Sequence, residues 1–310
     1  MKGCGFVGTI ILNGFGRTLG DGLIGLQALH ILLRRDPGFG RPVLYRLPGL
    51  ARVIQELYQC VDFAEIRDLP WSHATPDVGF RPGGLGDRVI DIRDFAYDSA
   101  FLRTSMVDFF LGRLGADPAR VPGEVKRNTW LRPRVEVRRP DLPEGYVLVC
   151  PSASNPMRDM PKEVHAHILA RLARFGPVVT QGTHSAPTSP SRSAPGGGEG
   201  HILSRPREGS LSELCGLVAG SRWVVSTDTA MVHLADAFEV PCLAFFSTHD
   251  PAWRVRDYPL CRPVPLAGAD PPGLEFARTE DDLAAARRAW FPRGDDFRWL
   301  DRLLDAGPPA

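Results

Sequence analysis

Short apolar segments alternate with longer amphipathic ones along this chain, and that alternation restricts the fold more than any other feature of the sequence. Residues 6–12, FVGTIIL, are apolar and rich in β-branched side chains, which is typical of a strand buried on both faces. A helical pattern follows from Asp21 to Arg35, and Pro37 and Gly38 end it. Repeated strand–helix units of this kind predict parallel sheets, so we expect an α/β fold.

The same pattern identifies the other elements of both halves of the chain. Further strands are predicted at 43–45, 88–92, 146–150, 178–180, 222–226 and 241–246. Further helices are predicted at 49–58, around the apolar positions between 101 and 114, at 161–175, from Ser210 onward and at 229–238. Ser210 and Glu213 have the spacing of a capping box. Residues 182–200 are rich in serine, proline and glycine, which predicts a mobile loop.

Five prolines interrupt the alternation between Ala116 and Pro143, with many charged residues among them. Such a segment is typical of a linker, so we place a domain boundary there. The length of 310 residues fits two domains of about 150 residues each. We therefore expect two Rossmann-like α/β domains that face a cleft, one at residues 1–140 and the other at 141–310.

Composition argues against several other classes of protein. The net charge is +1, so no overall positive field would attract nucleic acid. The six cysteines contain no C-x-x-C pair and the eight histidines are scattered, so we expect no metal site and no disulfide framework. No stretch of 18 consecutive apolar residues occurs, and the short N-terminal apolar run fits a buried strand better than a signal peptide. We therefore expect a cytoplasmic protein.

The first candidate site is GFGRTLGDG, residues 14–22, between the first strand and its helix. Open parallel sheets bind ligands at the carboxyl ends of their strands, and glycine allows the backbone to approach a ligand closely. The amides at a helix N-terminus favour an anion. Asp21, at the start of this helix, is a candidate functional carboxylate or else an N-cap that stabilises the helix. The glycine spacing differs from the dinucleotide-binding fingerprint.

The second candidate site lies in the segment VVSTDTAMVHLADA, where a buried strand runs into a helix. Ser226, Thr227, Asp228 and Thr229 stand at the carboxyl end of that strand. Small polar residues in this position can donate hydrogen bonds to a diphosphate, and the helix dipole adds to the attraction. The alternative is a capped helix in which His233 is a buried, hydrogen-bonded histidine.

The third candidate site is SASNPMRDMP, residues 152–161, which follows the first strand of the second half. Arg158 stands there just before a helix. Its guanidinium group could neutralise the charge that develops on a leaving phosphate. The alternative is a solvated surface arginine.

In this order, the three segments resemble the ADP-heptose:lipopolysaccharide heptosyltransferase family, glycosyltransferase family 9. Gly20 and Asp21 match the Gly-Asp pair of the family's first loop, and D-T-A-M-V-H-L-A-D matches its D-T-G-x-x-H-L-A-A. The family's K-x-W-P stands here as R-D-M-P, and its G-V-P, apolar strand and T-x-P turn as E-V-P-C-L-A-F-F-S-T-H-D-P. VIDIRD, residues 89–94, is similar to the family's strand before the domain join. The likeness extends from about residue 6 to residue 260 and is more specific in the second half.

The resemblance implies the GT-B fold, with the acceptor bound mainly by residues 1–140 and the nucleotide-sugar donor mainly by residues 141–310. The C-terminal helix is then a candidate for packing back on the N-terminal domain. The resemblance also implies an inverting transfer of heptose or a related sugar, without a metal or other cofactor. The donor would be a nucleotide-diphosphate sugar, with an ADP-linked sugar as one candidate.

Residue roles follow from the same resemblance. Asp21 would be the general base that takes the proton of an acceptor hydroxyl, and Arg158 would stand in for the family lysine near the donor phosphates. Thr229, Ala230 and the following amides would hold the diphosphate, while Asp228 and His233 would support that loop or touch the donor. The complete expected set is catalytic Asp21 and Arg158, donor-binding Ser226, Thr227, Asp228, Thr229, Ala230 and His233, and an acceptor-side loop with Gly16, Arg17 and Gly20.

Three departures from the family pattern keep other functions open. Ala230 replaces a glycine, Arg158 replaces a lysine, and no clear ribose-binding acidic residue follows Thr180. One alternative is a non-catalytic protein that binds nucleotide sugars, and another is a sugar-nucleotide epimerase, which would need further acid–base residues. The acceptor implied by the resemblance is a lipopolysaccharide or another surface glycan, with peripheral contact at the inner membrane face. Residues 132–140, RPRVEVRRP, are a candidate for that contact or else a solvated linker.

Overall fold

The structure, a computed structural model, describes residues 8–12, 14–70, 87–101, 103–181, 202–205, 209–266 and 279–308. The loop predicted at 182–200 lies outside the described residues, as do the first residues of the predicted N-terminal strand. The chain divides into two compact units, Met1–Val135 and Glu136–Ala310. This division falls within the proline-rich segment in which the sequence places a domain boundary.

The first unit contains a parallel sheet with strand order β3-β2-β1-β4. Its described strands are β1 (Thr9–Leu12), β2 (Val43–Arg46), β3 (Glu65–Asp68) and β4 (Arg88–Asp91), and its described helices are α1 (Leu19–Arg35), α2 (Arg52–Gln59) and α3 (Met106–Arg113). Every residue of β1 is buried, as its apolar, β-branched sequence predicts. None of the described helices of the chain is long and apolar enough to cross a membrane.

The second unit contains a six-stranded parallel sheet with the order β10-β9-β8-β5-β6-β7. The strands of this sheet are β5 (Val147–Cys150), β6 (Val178–Gln181), β7 (Ile202–Arg205), β8 (Trp223–Thr227), β9 (Cys242–Phe246) and β10 (Cys261–Pro265). A further described strand of the unit is β11 (Pro292–Asp295). Its described helices are α4 (Lys162–Leu172), α5 (Leu211–Ala219), α6 (Ala230–Phe238), α7 (Ala252–Val255), α8 (Glu280–Arg288) and α9 (Arg298–Asp305). The prediction of an α/β fold with two parallel sheets is confirmed.

Local sequence signals explain where confirmed elements begin and why several strands at sheet edges are not predicted. The capping box before α5 is present: Glu213 N donates to Ser210 Oγ at 3.2 Å, and Ser210 N donates to Glu213 Oε2 at 2.8 Å. Four described strands are not predicted by the sequence: β3, β7 and β10, which lie at the edges of their sheets and are largely exposed or half-buried, and β11. An edge strand has no need of an apolar run, so its sequence carries no such signal.

A steric fit between Phe15 and Gly25 holds the loop that leads from β1 into α1. Phe15 has a φ angle of 59°, in the left-handed region that bulky residues rarely adopt, and its side chain is fully buried. A Cβ atom on Gly25 of α1 would lie 2.1 Å from the Phe15 side chain, so the ring occupies space that only a glycine leaves free. The ring also packs edge-on against Phe110, with ring centroids 5.1 Å apart. This burial offsets the backbone strain at Phe15 and fixes the course of the loop.

The last helix, α9, belongs to the core of the second unit. Leu300 and Leu304 are buried in the same cluster as Val164 and Ile168 of α4. The Oδ1 atom of Asp301 in α9 lies 2.8 Å from the Nε2 atom of His167 in α4. These apolar residues of the C-terminal helix therefore contribute to the core of the second unit.

Replacing Gly25 with alanine should destabilise the protein, because the added methyl group would overlap the Phe15 side chain. We expect Gly25→Ala to lower the free energy of unfolding, measured by urea denaturation, by about 1–3 kcal/mol, as overpacked cores do. The matched control is Gly112→Ala in α3, where a Cβ atom would meet nothing within 4 Å. Helix propensity alone should make that variant more stable by up to about 1 kcal/mol. Equal stabilities of the two variants would contradict the steric fit.

Candidate functional site

Three neighbouring strands of the second sheet bring their carboxyl ends to one edge. The strands β9, β8 and β5 are consecutive in the sheet and parallel, and all their residues are buried. The segments that follow them carry His249, Asp228 and Arg158, respectively. This edge is where open α/β sheets bind their ligands, so these three residues form the centre of the candidate site.

The carboxylate of Asp228 is the most deeply buried charged group in this site, with only 2% of the residue exposed. Arg158 Nη1 donates to Asp228 Oδ2 at 3.3 Å, and His249 Nδ1 lies 3.1 Å from the same oxygen. Burial alone would raise the pKa of Asp228, but Arg158, then His249 and Arg254, outweigh it and hold that pKa well below its usual range. The carboxylate is therefore ionised at neutral pH.

Arg158 is held from both ends of its guanidinium group. It ends a short turn, Pro156–Arg158, in which the Asn155 side chain accepts a hydrogen bond from Met157 N at 3.0 Å. Its Nη1 atom donates to Asp228, and its Nη2 atom donates to Ser154 Oγ at 3.1 Å. Only 14% of its side chain is exposed. The alternative of a solvated surface arginine therefore does not hold.

Helix α6 begins immediately after Asp228. Thr229 is its N-cap and accepts a hydrogen bond from Met231 N at 3.0 Å, and Ala230 is its first residue. Both Thr229 and Ala230 are partly exposed. The positive end of the helix dipole thus lies at the same sheet edge as Arg158, an arrangement that favours a bound anion.

Ser226 and Thr227 are placed differently from what the sequence suggests. Both belong to β8 and are fully buried. The Ser226 hydroxyl donates to the backbone carbonyl of Thr227 at 2.8 Å, so this hydroxyl is already used within the protein. The accessible part of the segment is therefore Thr229 and Ala230, at the start of the helix.

His233 is a structural residue of α6. It is 4% exposed, and its Nδ1 atom lies 2.8 Å from the Tyr258 hydroxyl. Burial lowers the pKa of His233 to about 4, so the ring is neutral at neutral pH. This geometry matches the alternative of a buried, hydrogen-bonded histidine, and it lets His233 support the loop from within the core.

Two buried residues of the site are absent from the sequence prediction. His249 follows β9, and Arg254 lies in α7; they are 4% and 8% exposed. Arg254 Nη2 lies 3.4 Å from His249 Nε2. The turn S-T-H-D-P directly after a buried strand is a signal that could have indicated His249, because it marks a third carboxyl end at the same edge. Nothing local in the sequence distinguishes Arg254 from the other arginines.

In the first unit, Asp21 lies in the first turn of α1 and is half-buried. Thr18 is the N-cap of this helix, and its Oγ1 atom accepts a hydrogen bond from Asp21 N at 3.1 Å. The alternative in which Asp21 is the N-cap therefore does not hold. The group that caps α1 is the Thr18 hydroxyl and not the Asp21 carboxylate.

The glycine-rich loop packs closely around Asp21. Gly16 has a φ angle of 85°, and a Cβ atom there would lie 2.9 Å from the Phe95 ring and 3.2 Å from Asp21 Oδ2. Only glycine fits this position. Gly20 lies in the first turn of α1, and Arg17 is exposed. The loop thus places an exposed arginine and a half-buried carboxylate at the carboxyl end of β1.

A buried tyrosine that the sequence does not single out lies beneath this loop. Tyr58 is 2% exposed, and its hydroxyl would lie 2.9 Å from a Cβ atom on Gly14. The Arg46 guanidinium lies over its ring, 5.6 Å from the centroid. Burial raises the pKa of Tyr58 well above its usual range, while Arg46 and Asp21 act on it in opposite directions. The hydroxyl makes no hydrogen bond to the described residues.

Replacing Asp228 with asparagine should destabilise the protein, because Arg158 would keep its largely buried position without a carboxylate partner. We expect Asp228→Asn to lower the free energy of unfolding by about 3 kcal/mol at pH 7, as broken buried ion pairs do. A carboxylate with a lowered folded-state pKa stabilises fully above its ordinary pKa of 3.8 and loses that effect only as the pH falls toward the folded-state value. The difference should therefore be the same at pH 7 and at about pH 5.5.

The matched control is Asp250→Asn, since Asp250 is exposed and caps Ala252 N at 2.9 Å in the neighbouring turn. An asparagine oxygen can keep that bond, so the control should change stability by less than about 0.5 kcal/mol. Urea denaturation of both variants measures the two effects. Similar small losses in both would show that Asp228 is not an essential partner of the buried arginine.

The candidate site of the second unit lies in a region that matches a known protein family. The model of glycosyltransferase family 9 (heptosyltransferase) matches residues 124–258, which include Arg158, Asp228 and His249. No curated protein sequence matches the chain.

Solved structures of similar fold include several transferases. A glycosyl transferase of family 9 from Veillonella parvula DSM 2008 is 12% identical, with a TM-score of 0.55 over 84% of this chain and 86% of that one. The E. coli heptosyltransferase WaaC with ADP is 15% identical, with a TM-score of 0.54 over 84% and 94%. The E. coli ADP-heptose lipopolysaccharide heptosyltransferase II is 13% identical, with a TM-score of 0.50 over 97% and 98%. At these identities the likeness shows the fold.

The structural likeness and the family match lead to the same conclusion. The two parallel sheets are those of the GT-B heptosyltransferases. The residues around the second sheet's ligand-binding edge lie within the family's own region. The chain thus has the fold of these transferases, and its residues 124–258 resemble glycosyltransferase family 9, as the motifs in its sequence imply.

Proposed function

We propose that this chain transfers heptose or a related sugar from a nucleotide-diphosphate donor to a lipopolysaccharide or another surface glycan, with inversion and without a metal. One observation carries the proposal. Within the family-matched region, Arg158 is held by the buried, ionised Asp228, and the N-terminus of α6 follows directly in the chain. A guanidinium group and a helix N-terminus at one sheet edge suit a diphosphate.

The donor side of the proposal assigns the diphosphate to three features. Arg158 neutralises phosphate oxygens, while Thr229, Ala230 and the following amides of α6 donate hydrogen bonds to them. Asp228 and His233 support this arrangement from within the unit. The WaaC structure is of a protein with ADP, which supports an ADP-linked sugar as the first donor to test.

The chemical step assigns the proton and the leaving group to separate residues. Asp21 takes the proton of an acceptor hydroxyl, whose oxygen attacks the anomeric carbon of the donor sugar. The bond from that carbon to the diphosphate oxygen breaks, and its electron pair leaves with the nucleoside diphosphate, whose charge Arg158 stabilises. A single displacement of this kind inverts the anomeric configuration and requires no cofactor.

The acceptor side of the proposal uses the loop after β1. Gly16 and Gly20 allow a close approach of the acceptor to the backbone, and the exposed Arg17 offers a positive charge to an acidic glycan. Because such acceptors are glycolipids of the inner membrane, the enzyme would work in the cytoplasm and in peripheral contact with that membrane.

A second candidate function is favoured by one residue. Ala230 stands at the first position of α6, where the family has a glycine, and its methyl group would crowd a phosphate that approaches the helix closely. A protein that binds nucleotide sugars without catalysis would tolerate this. Such a protein would have no use for the Asp21 carboxylate, which is why the enzymatic function is preferred.

The experiment starts with thermal shifts of the protein against ADP-, GDP-, UDP- and CDP-sugars and the free nucleotides. A ligand that binds only the folded state raises the melting temperature. We expect one nucleotide class, with ADP as the first candidate, to give a clear increase. No increase with any class at millimolar concentration would contradict donor binding.

Asp21→Asn is then the decisive variant with the donor so identified. We expect it to reduce the transfer rate by about 100-fold or more, because the amide cannot accept the proton, while the donor-induced thermal shift stays unchanged. The matched control is Asp36→Asn at the opposite end of the same helix, which should transfer at the wild-type rate. Wild-type activity of Asp21→Asn would contradict the base role, and donor binding without transfer in the wild type would favour the non-catalytic function.

A further inference from the structure

We propose that Arg254 and His249 are positioning residues: Arg254 selects the tautomer of His249, and His249 then holds Asp228 in the orientation that presents Arg158. This inference rests on the proposed function in one respect, namely that Arg158 binds the nucleotide-sugar donor. The contacts themselves form one line of buried polar groups, from α7 through the segments after β9 and β8 to the segment after β5.

The tautomer follows from the chemistry of the two partners. An arginine guanidinium has five N–H donors and no acceptor. Arg254 Nη2 lies 3.4 Å from His249 Nε2, so that ring nitrogen must present its lone pair. The ring proton is then on Nδ1, which lies 3.1 Å from Asp228 Oδ2 and 3.0 Å from Thr248 Oγ1. His249 therefore donates to the carboxylate, and the opposite tautomer would place two lone pairs against each other.

Two donors converge on a single oxygen of Asp228. His249 Nδ1 and Arg158 Nη1 both contact Oδ2, at 3.1 Å and 3.3 Å. With His249 as donor, Oδ2 of Asp228 is held by two hydrogen bonds at once, one from the imidazole ring and one from the guanidinium group. Without that donor the carboxylate can rotate, and the guanidinium group rotates with it.

Burial makes this line of contacts sensitive to small changes. His249, Arg254 and Asp228 are 4%, 8% and 2% exposed, so water has little access to replace a lost partner. A hydrogen bond to a charged group in such a place contributes more than one at the surface. Changes at His249 and Arg254 should therefore reach Arg158, although neither residue is expected to touch the sugar.

The first test needs neither a donor nor activity. Nitrogen-15 NMR of histidine-labelled protein distinguishes the two ring tautomers, and the signals that disappear in His249→Asn identify His249. We expect a proton on Nδ1 in the wild type and in Arg254→Lys, since lysine is also a donor without an acceptor. In Arg254→Met we expect the form with a proton on Nε2 to become detectable, because the contact of Nδ1 with Asp228 is then left to select the tautomer without Arg254. A proton on Nε2 in the wild type, or an unchanged pattern in Arg254→Met, would overturn the proposal.

The second test compares two replacements of His249 of similar polarity. Asparagine places an N–H group near the position of Nδ1, whereas glutamine reaches the position of Nε2 and leaves Asp228 without this donor. We expect His249→Asn to keep the wild-type KM for the donor sugar and His249→Gln to raise it by about tenfold, with a smaller change in kcat. Equal KM values for the two variants would overturn the proposal.

The two tests separate a failure of this inference from a failure of the proposed function. If no nucleotide sugar binds the wild type, the proposed function is wrong, and the tautomer measured by NMR still decides whether Arg254 controls His249. If donors bind but His249 carries its proton on Nε2, the proposed function stands and this inference falls. The melting temperatures of the variants show whether each one is folded before its KM is compared.

Discussion

The ion pair between Arg158 and Asp228 is the interaction on which the candidate site of the second unit depends. Removing a carboxylate from water costs on the order of several kcal/mol, and the attraction of a neighbouring cation often only balances that cost. A buried pair of this kind is therefore a poor means of stabilising a fold. Its value lies in position: Asp228, 2% exposed, keeps a guanidinium group at the carboxyl edge of the sheet in one orientation.

The strand order of the sheet determines which groups can take part in that interaction. Because β5, β8 and β9 are neighbours, the segments that follow them meet, and residues about 70 and 20 positions from Asp228 in the chain become its partners. The helix that starts after Asp228 adds the positive end of its dipole at the same place. The positive groups at this edge are thus brought together by parallel topology combined with a few polar residues.

The first unit prepares its own loop by sterics rather than by charge. Phe15 has a left-handed backbone conformation, and the burial of its side chain against Gly25 offsets the strain. Gly16 lies so close to Phe95 and Asp21 that no side chain fits there. Thr18 takes over the capping of α1. As a result, the half-buried Asp21 lies in the first turn of the helix without being its N-cap.

Much of this could be predicted from the sequence, and the failures have physical reasons. Buried parallel strands such as β5 and β8 carry continuous apolar runs, so the alternation of strands and helices and the two parallel sheets can be predicted from the sequence. Edge strands carry no such run, which is why β3, β7 and β10 are not predicted.

Site residues are harder to predict, because local pattern does not reveal which way a side chain points. Ser226 stands at a strand end but is buried and bonded to the backbone, whereas Thr229 is accessible. His249 and Arg254 belong to the site because β9 lies next to β8 in the sheet. A single sequence does not reveal which strands are neighbours.

Hydrogen exchange of the protein with and without saturating ADP tests the central claim most directly, namely that the carboxyl edge of β5, β8 and β9 binds a nucleoside diphosphate. We expect slower exchange in peptides that cover residues 152–160 and 228–234, because a bound diphosphate would engage Arg158 and the first amides of α6. Unchanged exchange in both peptides, in a sample where ADP binding is independently detected, would place the nucleotide elsewhere and contradict the account.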